Sequence, residues 1–197
     1  TYNVRVSRSD AAEGPFTDYF GKAEKDTTNN FPILTAPYRF ENHPGWAGTA
    51  HCGVFTDGQG NYFMAHQGRL SPQNQLMVLH VRQLFFTPDG WPVVSSERYA
   101  GTPPREFTEA DLVGEWEIIR VQEPKYERQL EAGQILWGEG ELKDGEWNLS
   151  TRVNLAKNGT CAGEMTDDEW KNVQMNGNWS FLTEKQLLMI ESDKEII

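Results

Sequence analysis

Ala50-His-Cys-Gly-Val-Phe55, Thr56-Asp-Gly-Gln-Gly60 and Asn61-Tyr-Phe-Met-Ala-His66 follow one another without interruption. The outer two runs are rich in strand-forming residues, and the middle one concentrates Asp and Gly where a chain must reverse, so the stretch reads as a β-hairpin. The same grammar continues on either side. Leu76-Met-Val-Leu-His-Val-Arg-Gln-Leu-Phe-Phe86 meets the turn Thr87-Pro-Asp-Gly90 and returns as Trp91-Pro-Val-Val-Ser95, a second hairpin. Val4 and Val6 alternate with Arg5 and Ser7. Further on, strands are predicted at Gly114 to Val121, Gly138 to Leu142, Glu146 to Leu155, Gly177 to Leu182 and Gln186 to Ile190, with turns at Lys143-Asp-Gly145 and Lys157-Asn-Gly159. Helix is scarce: Thr108-Glu-Ala-Asp111 and Thr166-Asp-Asp-Glu169 have capping-type starts, but no long amphipathic repeat follows either. The fold class is all-β, with short strands at propeller, barrel or sandwich spacing.

Composition sets the limits. Of 197 residues, 38% are hydrophobic and seven are Trp, enough core material to fold. The 18 Lys+Arg against 29 Asp+Glu give a net charge of −11, which excludes a nucleic-acid binder working through a basic face. No run approaches the ~18 apolar residues of a membrane-spanning helix, so no membrane partner is expected.

The charge is uneven. Residues 1–107 hold nine basic and ten acidic residues, whereas 108–197 hold nine and nineteen, a shift from −1 to −10. All four His (43, 51, 66 and 80) lie in the first part and five of seven Trp (116, 137, 147, 170 and 179) in the second. Two units are expected, 1–107 and 108–197, joined through Ala100-Gly-Thr-Pro-Pro-Arg-Glu-Phe107, whose paired prolines cannot continue a ladder. Cys52 and Cys161 fall one in each unit and match no zinc spacing, so free thiols are expected. Thr1 opens directly into the strand-like Tyr2-Asn-Val-Arg-Val-Ser7, and Glu195-Ile-Ile197 ends in a strand-like pattern; both suggest a piece of a longer protein.

The densest constellation is Gly45-Trp-Ala-Gly-Thr-Ala-His51, then Tyr62-Phe-Met-Ala-His-Gln-Gly-Arg69, then Leu79-His-Val-Arg-Gln-Leu-Phe-Phe-Thr-Pro-Asp-Gly-Trp-Pro-Val-Val-Ser-Ser-Glu-Arg-Tyr99. In this order, over about residues 45–101, these motifs resemble the last blade of the family 43 glycoside hydrolases that degrade arabinan, the endo- and exo-1,5-α-L-arabinanases. Tyr2 to Ser9 with Gly14-Pro-Phe-Thr-Asp-Tyr-Phe-Gly21 resembles the strand and turn of the preceding blade. The resemblance implies the C-terminal part of a five-bladed β-propeller. Residues from Leu112-Val-Gly-Glu-Trp116 onward look like the small lipocalin-like β-barrel that often follows it.

In such propellers a final-blade His in a Gly-X-Ala-His context ligates an axial ion, usually calcium, whose other ligands are mainly water. His51 holds that position. Calcium prefers oxygen, so a lone imidazole implies a largely hydrated ion; on its residues alone His51 reads rather as a hydrogen-bonded strand histidine, and the surrounding motifs reverse that preference. Inverting hydrolysis needs a general base and a general acid about 6.5–9.5 Å apart, with a third carboxylate to tune the acid in this family. None of the three is expected here; they should lie upstream of Thr1. Glu13, before Gly14-Pro15, has the superficial look of the acid, but Ala-Ala-Glu-Gly offers a turn rather than a walled apolar site.

Trp46, between Gly45 and Gly48, is a candidate for stacking on a sugar, with a packing plug as the alternative. Arg69 is a candidate to support a carboxylate or a sugar hydroxyl, with a solvated strand end as the alternative. His66 lies three positions from Arg69 and hence on the opposite face of a regular strand. His80 and Arg82 alternate with Leu79 and Val81 as a polar strand face, and Cys52 should point into the core. The resemblance implies an extracellular or periplasmic hydrolase of α-1,5-linked arabinan that includes an N-terminal fragment of the same propeller as partner. The competing readings are a non-catalytic carbohydrate-binding protein, and another family 43 specificity such as an α-L-arabinofuranosidase or β-xylosidase.

Overall fold

The structure, a computed structural model, describes residues 3–26, 31–70, 76–102, 105–122 and 147–193. The predicted strand at 138–142, the turn at 143–145, Pro103-Pro104, Trp137 and the final residues 195–197 lie outside them. In chain order the strands are β1 (Val4–Arg5), β2 (Ile33–Thr35), β3 (Tyr38–Arg39), β4 (Trp46–Thr56), β5 (Tyr62–Leu70), β6 (Val78–Phe86) and β7 (Pro92–Val94). After the one-turn helix α1 (Glu109–Leu112) come β8 (Gly114–Ile118), β9 (Asn148–Leu149), β10 (Thr151–Leu155), β11 (Thr160–Thr166), β12 (Asn172–Leu182) and β13 (Leu187–Ser192). The protein is all-β, as its period-two patterning requires.

Contacts divide the described residues into two compact units. One falls within Thr1–Pro37, Pro44–Tyr99 and Val121–Trp147, the other within Tyr38–His43, Ala100–Arg120 and Asn148–Ile197. Tyr38–His43, early in the chain, thus belongs to the later unit. There β3 pairs in parallel with β9, and Glu41 takes a two-pronged ion pair from Arg152, with Nη2 to Oε2 at 2.5 Å and Nε to Oε1 at 3.1 Å.

In the first unit β4, β5, β6 and β7 form an antiparallel meander, and β1 pairs with β2. Ile33, Trp46, Ala47, Ala50, Phe63, Met64, Leu84 and Trp91 are buried. Trp91 follows the Thr87–Gly90 turn and is held by the edge of Tyr19 at 5.6 Å and the Arg8 guanidinium 4.3 Å over its ring. In the second unit the order β13-β12-β11-β10-β8 is antiparallel throughout. Its core joins Leu112, Val153, Leu155, Cys161, Met165, Met175, Trp179 and Ile190. The Thr108 start behaves as its sequence predicts: the Asp111 carboxylate accepts from Thr108 N at 2.8 Å and from its hydroxyl at 2.7 Å, beginning α1.

One five-residue turn closes four hairpins. Its first residue donates N–H to the carbonyl of the fifth, and the fourth donates back to the carbonyl of the first. Asp57–Asn61, Thr87–Trp91, Ala156–Thr160 and Asp167–Lys171 all show both bonds. The fourth residue is left-handed each time: Gly60 at φ +89°, Gly90 at +87°, Gly159 at +81°, and Trp170 at +65°. Thr166-Asp-Asp-Glu169 is therefore not a helix start. Asp167 Oδ1 accepts N–H from Glu169 and Lys171, both at 2.9 Å, as Asp57 Oδ1 does from Gln59 and Asn61, so the carboxylate that suggested a cap organises a hairpin instead.

Candidate functional site

β4 is not a regular strand. Against β5, Ala47 pairs with Arg69, Ala50 with Gln67 and Gly53 with Ala65, so one extra residue enters β4 in each interval. These are two β-bulges, with Gly48 at φ +61° and His51 at φ +59°. Gly48 takes that conformation at no cost, whereas His51 has a Cβ to accommodate there. At the second bulge His51 and Cys52 together face the single residue His66, which pairs directly with His80 on β6. Three of the four histidines thus stand at one level across three adjacent strands.

The three differ sharply in environment. His51 is exposed, while His66 and His80 are 1% and 0% exposed. Their rings lie 4.9 Å apart, and the Trp46 ring meets His80 edge-on at 4.3 Å. His66 Nδ1 is 2.6 Å from Gln67 O and therefore carries the hydrogen, leaving a lone pair on Nε2. His80 Nδ1 accepts from Arg82 Nη2 at 3.3 Å, which puts its hydrogen on Nε2. Burial holds His66 down to about 4, and burial together with the Arg82 charge holds His80 down to about 3. Both rings are neutral. His66 Nε2, His80 Nε2 and Thr49 Oγ1 are buried without a hydrogen-bond partner among the described residues.

His80 and Arg82 do not form the solvated polar face that their alternation suggests; Arg82 is 2% exposed. The segment after β7 runs beside β6, with Ser95 N donating to Gln83 O and Tyr99 N to Val81 O. It supplies Arg82 Nη1 with the carbonyls of Ser96 at 2.6 Å and Ser95 at 3.2 Å. Gly68 makes room for the His80 ring, since a Cβ there would lie 2.5 Å from His80 Nε2. Cys52 is likewise corrected: it is exposed, because the left-handed residue before it breaks the alternation that would have aimed it inward.

Trp46 and Arg69 both lie beside the first bulge, on successive cross-strand pairs. Trp46 pairs with Leu70 and Ala47 with Arg69, whose stem passes 3.6 Å from the Cβ position of Gly48. Arg69 is half-buried. Trp46 is 6% exposed, with Arg98 5.2 Å over its ring and His80 at its edge, which is the geometry of the packing alternative.

For a metal, the described residues offer no group of three or more His, Cys, Asp or Glu. An exposed imidazole on a bulge fits a single-point ligand to an ion otherwise bound by water or by groups outside these residues. The carboxylates with displaced pKa all move down: Glu41 through Arg152, Asp57 through Asn61, and Asp111 through Thr108. A general acid needs the opposite shift. Glu13 sits exposed in a turn closed by Gly14 N to Ala11 O at 3.0 Å.

Residues 96–196 match the C-terminal lipocalin-like domain of glycoside hydrolase family 43. The extracellular endo-α-(1→5)-L-arabinanase 2 of Bacillus subtilis is 25% identical over 193 residues, covering 89% of this chain and 37% of its own length. The extracellular endo-α-(1→5)-L-arabinanase of Thermotoga petrophila is 28% identical over 133 residues, covering 60% of this chain and 28% of its own length. Among solved structures, the family 43 YxiA protein of Bacillus licheniformis superimposes with a TM-score of 0.71 at 22% identity over 99% of this chain and 41% of that one. The endo-1,5-α-L-arabinanase of Thermotoga petrophila gives 0.66 at 19% over 99% and 47%. These likenesses establish a shared fold, and the chain spans less than half the length of each relative.

Proposed function

The chain belongs to glycoside hydrolase family 43, and from that membership we propose that its protein hydrolyses α-1,5-linked L-arabinan with inversion outside the cytoplasm. The supporting observation is that similarity to the extracellular endo-arabinanase 2 of Bacillus subtilis extends over 193 residues rather than stopping at the lipocalin-like domain. In this reading the β4–β7 meander is the last blade of a five-bladed propeller. The base, the acid and the tuning carboxylate come from an N-terminal portion that precedes these residues.

This chain's contribution is positional. The double bulge of β4 turns His51 outward, away from the buried His66 and His80, where it would hold a hydrated cation, expected to be calcium. A cation there supplies positive field beside the carboxylates, biasing their protonation and the charge of the transition state. Arg69, whose stem runs along Gly48 at the first bulge, would donate to a carboxylate or a sugar hydroxyl. Trp46 acts from beneath, as the ring on which His80 and Arg98 rest.

The test is hydrolysis of linear arabinan by the full-length protein, with and without chelator, beside His51→Ala. The expected result is inverted product, with turnover lowered alike by chelator and by His51→Ala and with KM little changed. No release of arabinose or arabino-oligosaccharides would refute the substrate. Equal turnover with and without the imidazole would refute the role of His51.

A further inference from the structure

Trp170 occupies a backbone position that its three counterparts give to glycine. All four turns share the same pair of backbone bonds, and Gly60, Gly90 and Gly159 take the left-handed fourth place without a Cβ. A bulky aromatic there is an outlier, held only where the surroundings over-determine it. They do so here. Asp167 Oδ1 takes two N–H groups of the turn, Arg120 pairs with Asp168 at 2.7 Å and donates to Thr166 O at 3.3 Å, and the Thr166 hydroxyl reaches Asn172 Oδ1 at 3.3 Å. The side chain of Arg120 is only 14% exposed, so this brace is anchored inside the unit. The hairpin tip is a rigid mount for one indole.

We propose that the Asp167–Lys171 tip is a binding site for a neutral polysaccharide chain, with the Trp170 indole as the face on which a sugar ring stacks. Trp170 is partly exposed and is flanked by the exposed Asp168, Glu169 and Lys171. A flat apolar surface rimmed by carboxylates and an ammonium matches a sugar, which presents C–H groups on one face and hydroxyls at its edge. A polyuronate is disfavoured by the net −10 that residues 108–197 carry. The choice of arabinan as the glycan rests on the function proposed above; the site itself does not. The tip lies in the second unit and His51 and Arg69 in the first, so the site is expected to raise affinity for long chains and to leave short substrates unaffected.

The experiment is affinity electrophoresis of the purified protein through native gels containing linear arabinan, galactan, xylan or polygalacturonate, with Trp170→Gly, Trp170→Asn and Trp170→Phe. Gly restores the residue of the sister turns, and Asn tolerates the same backbone conformation, so both variants fold. Trp170→Gly and Trp170→Asn are expected to weaken retardation by arabinan at least fivefold, with Trp170→Phe intermediate, while turnover of short arabino-oligosaccharides is unchanged. The thermal midpoint of Trp170→Gly should equal or exceed the wild type. Retardation of Trp170→Gly equal to wild type overturns the site, even where arabinan is hydrolysed normally. So does a wild-type protein that no neutral glycan retards, or one held best by polygalacturonate. Loss of retardation in galactan or xylan but not arabinan upholds the site and overturns the arabinan reading.

Discussion

Acidification from about pH 7 to about pH 5 should cost this protein several kcal/mol, and His66 and His80 are the reason. Unfolded, each imidazole titrates near 6.5; folded, His66 titrates at about 4 and His80 at about 3, because burial disfavours the charged ring and Arg82 adds a like charge. Above 6.5 both states are neutral and neither histidine affects the balance. Below it the unfolded rings take up protons that the folded ones refuse, so stability falls with pH until the folded values are reached. At pH 5 the unfolded rings are almost fully charged and the folded ones almost fully neutral, a loss of about 2 kcal/mol each and about 4 together. Against a typical domain stability of about 5–15 kcal/mol that is a large share. Glu41, Asp57 and Asp111 have lowered values, so their stabilising contribution is present above their unfolded values of 4.5 and 3.8 and is lost only below them, outside this window.

Urea unfolding followed by Trp fluorescence at constant ionic strength measures this directly. His66→Met removes one titration and the Nδ1–H bond to Gln67 O, so it should start about 1 kcal/mol less stable at pH 7 and then lose only half as much on going to pH 5. Stability that stays level across the window, or a variant with the wild-type slope, would refute the claim that the rings are buried neutral.

Gly68→Ala places a Cβ 2.5 Å from His80 Nε2, which must push the ring off Trp46 and Arg82; a loss of about 1–3 kcal/mol in urea unfolding is expected. An unshifted midpoint would mean the ring is free to move. Gly163→Ala and Gly177→Ala meet backbone rather than a side chain, the carbonyls of Arg152 and Glu191, so each should cost about 3 kcal/mol or more; near-wild-type melting of either would show that the β10–β13 ladders are looser than their register implies. Asp167→Ala removes the acceptor for Glu169 N and Lys171 N and should cost about 1 kcal/mol, measured by thermal melting.

Much of the fold is legible because glycine marks its turns. The turns at Asp57-Gly-Gln-Gly60, Thr87-Pro-Asp-Gly90 and Lys157-Asn-Gly159 fall where the sequence puts them, and the runs beside the first two pair as read, whereas the strand that follows the third is not among those predicted. The fourth hairpin was hidden twice. Trp170 stands where the glycine signal should be, and the strand before it, Thr160-Cys-Ala-Gly-Glu-Met-Thr166, contains Ala, Gly and Glu, all poor in β propensity. β11 exists because β10 and β12 pair with it on both sides, a tertiary cause with no local trace. What the sequence does not disclose around the candidate site is depth. Alternation separates His80 and Arg82 from Leu79 and Val81 correctly but cannot say which set is inside when the polar set finds carbonyls in the core. The bulge at His51 is invisible to a period of two, and with it the exposure of Cys52.

Four residues other than glycine adopt left-handed backbone among the described residues, and their causes differ. Asn42 is of a type that tolerates the region. Gln186 ends a short turn and is fixed by its own side chain, which accepts Phe107 N–H at 2.6 Å and donates to the carbonyls of Phe107 and Thr183. Among the described residues His51 and Trp170 show no comparable side-chain bond, and each falls where a function is proposed, one in each unit. If the side chain is what these positions hold, glycine should serve the backbone better at both. The gain is about 1 kcal/mol per site, one in each unit. The double variant His51→Gly, Trp170→Gly is therefore expected to melt several degrees above wild type while losing the cation-dependent turnover through one change and polysaccharide retention through the other. Differential scanning calorimetry decides it: a double variant less stable than wild type would show that His51 and Trp170 are held for packing, and the link between strain and function at both sites would fail together.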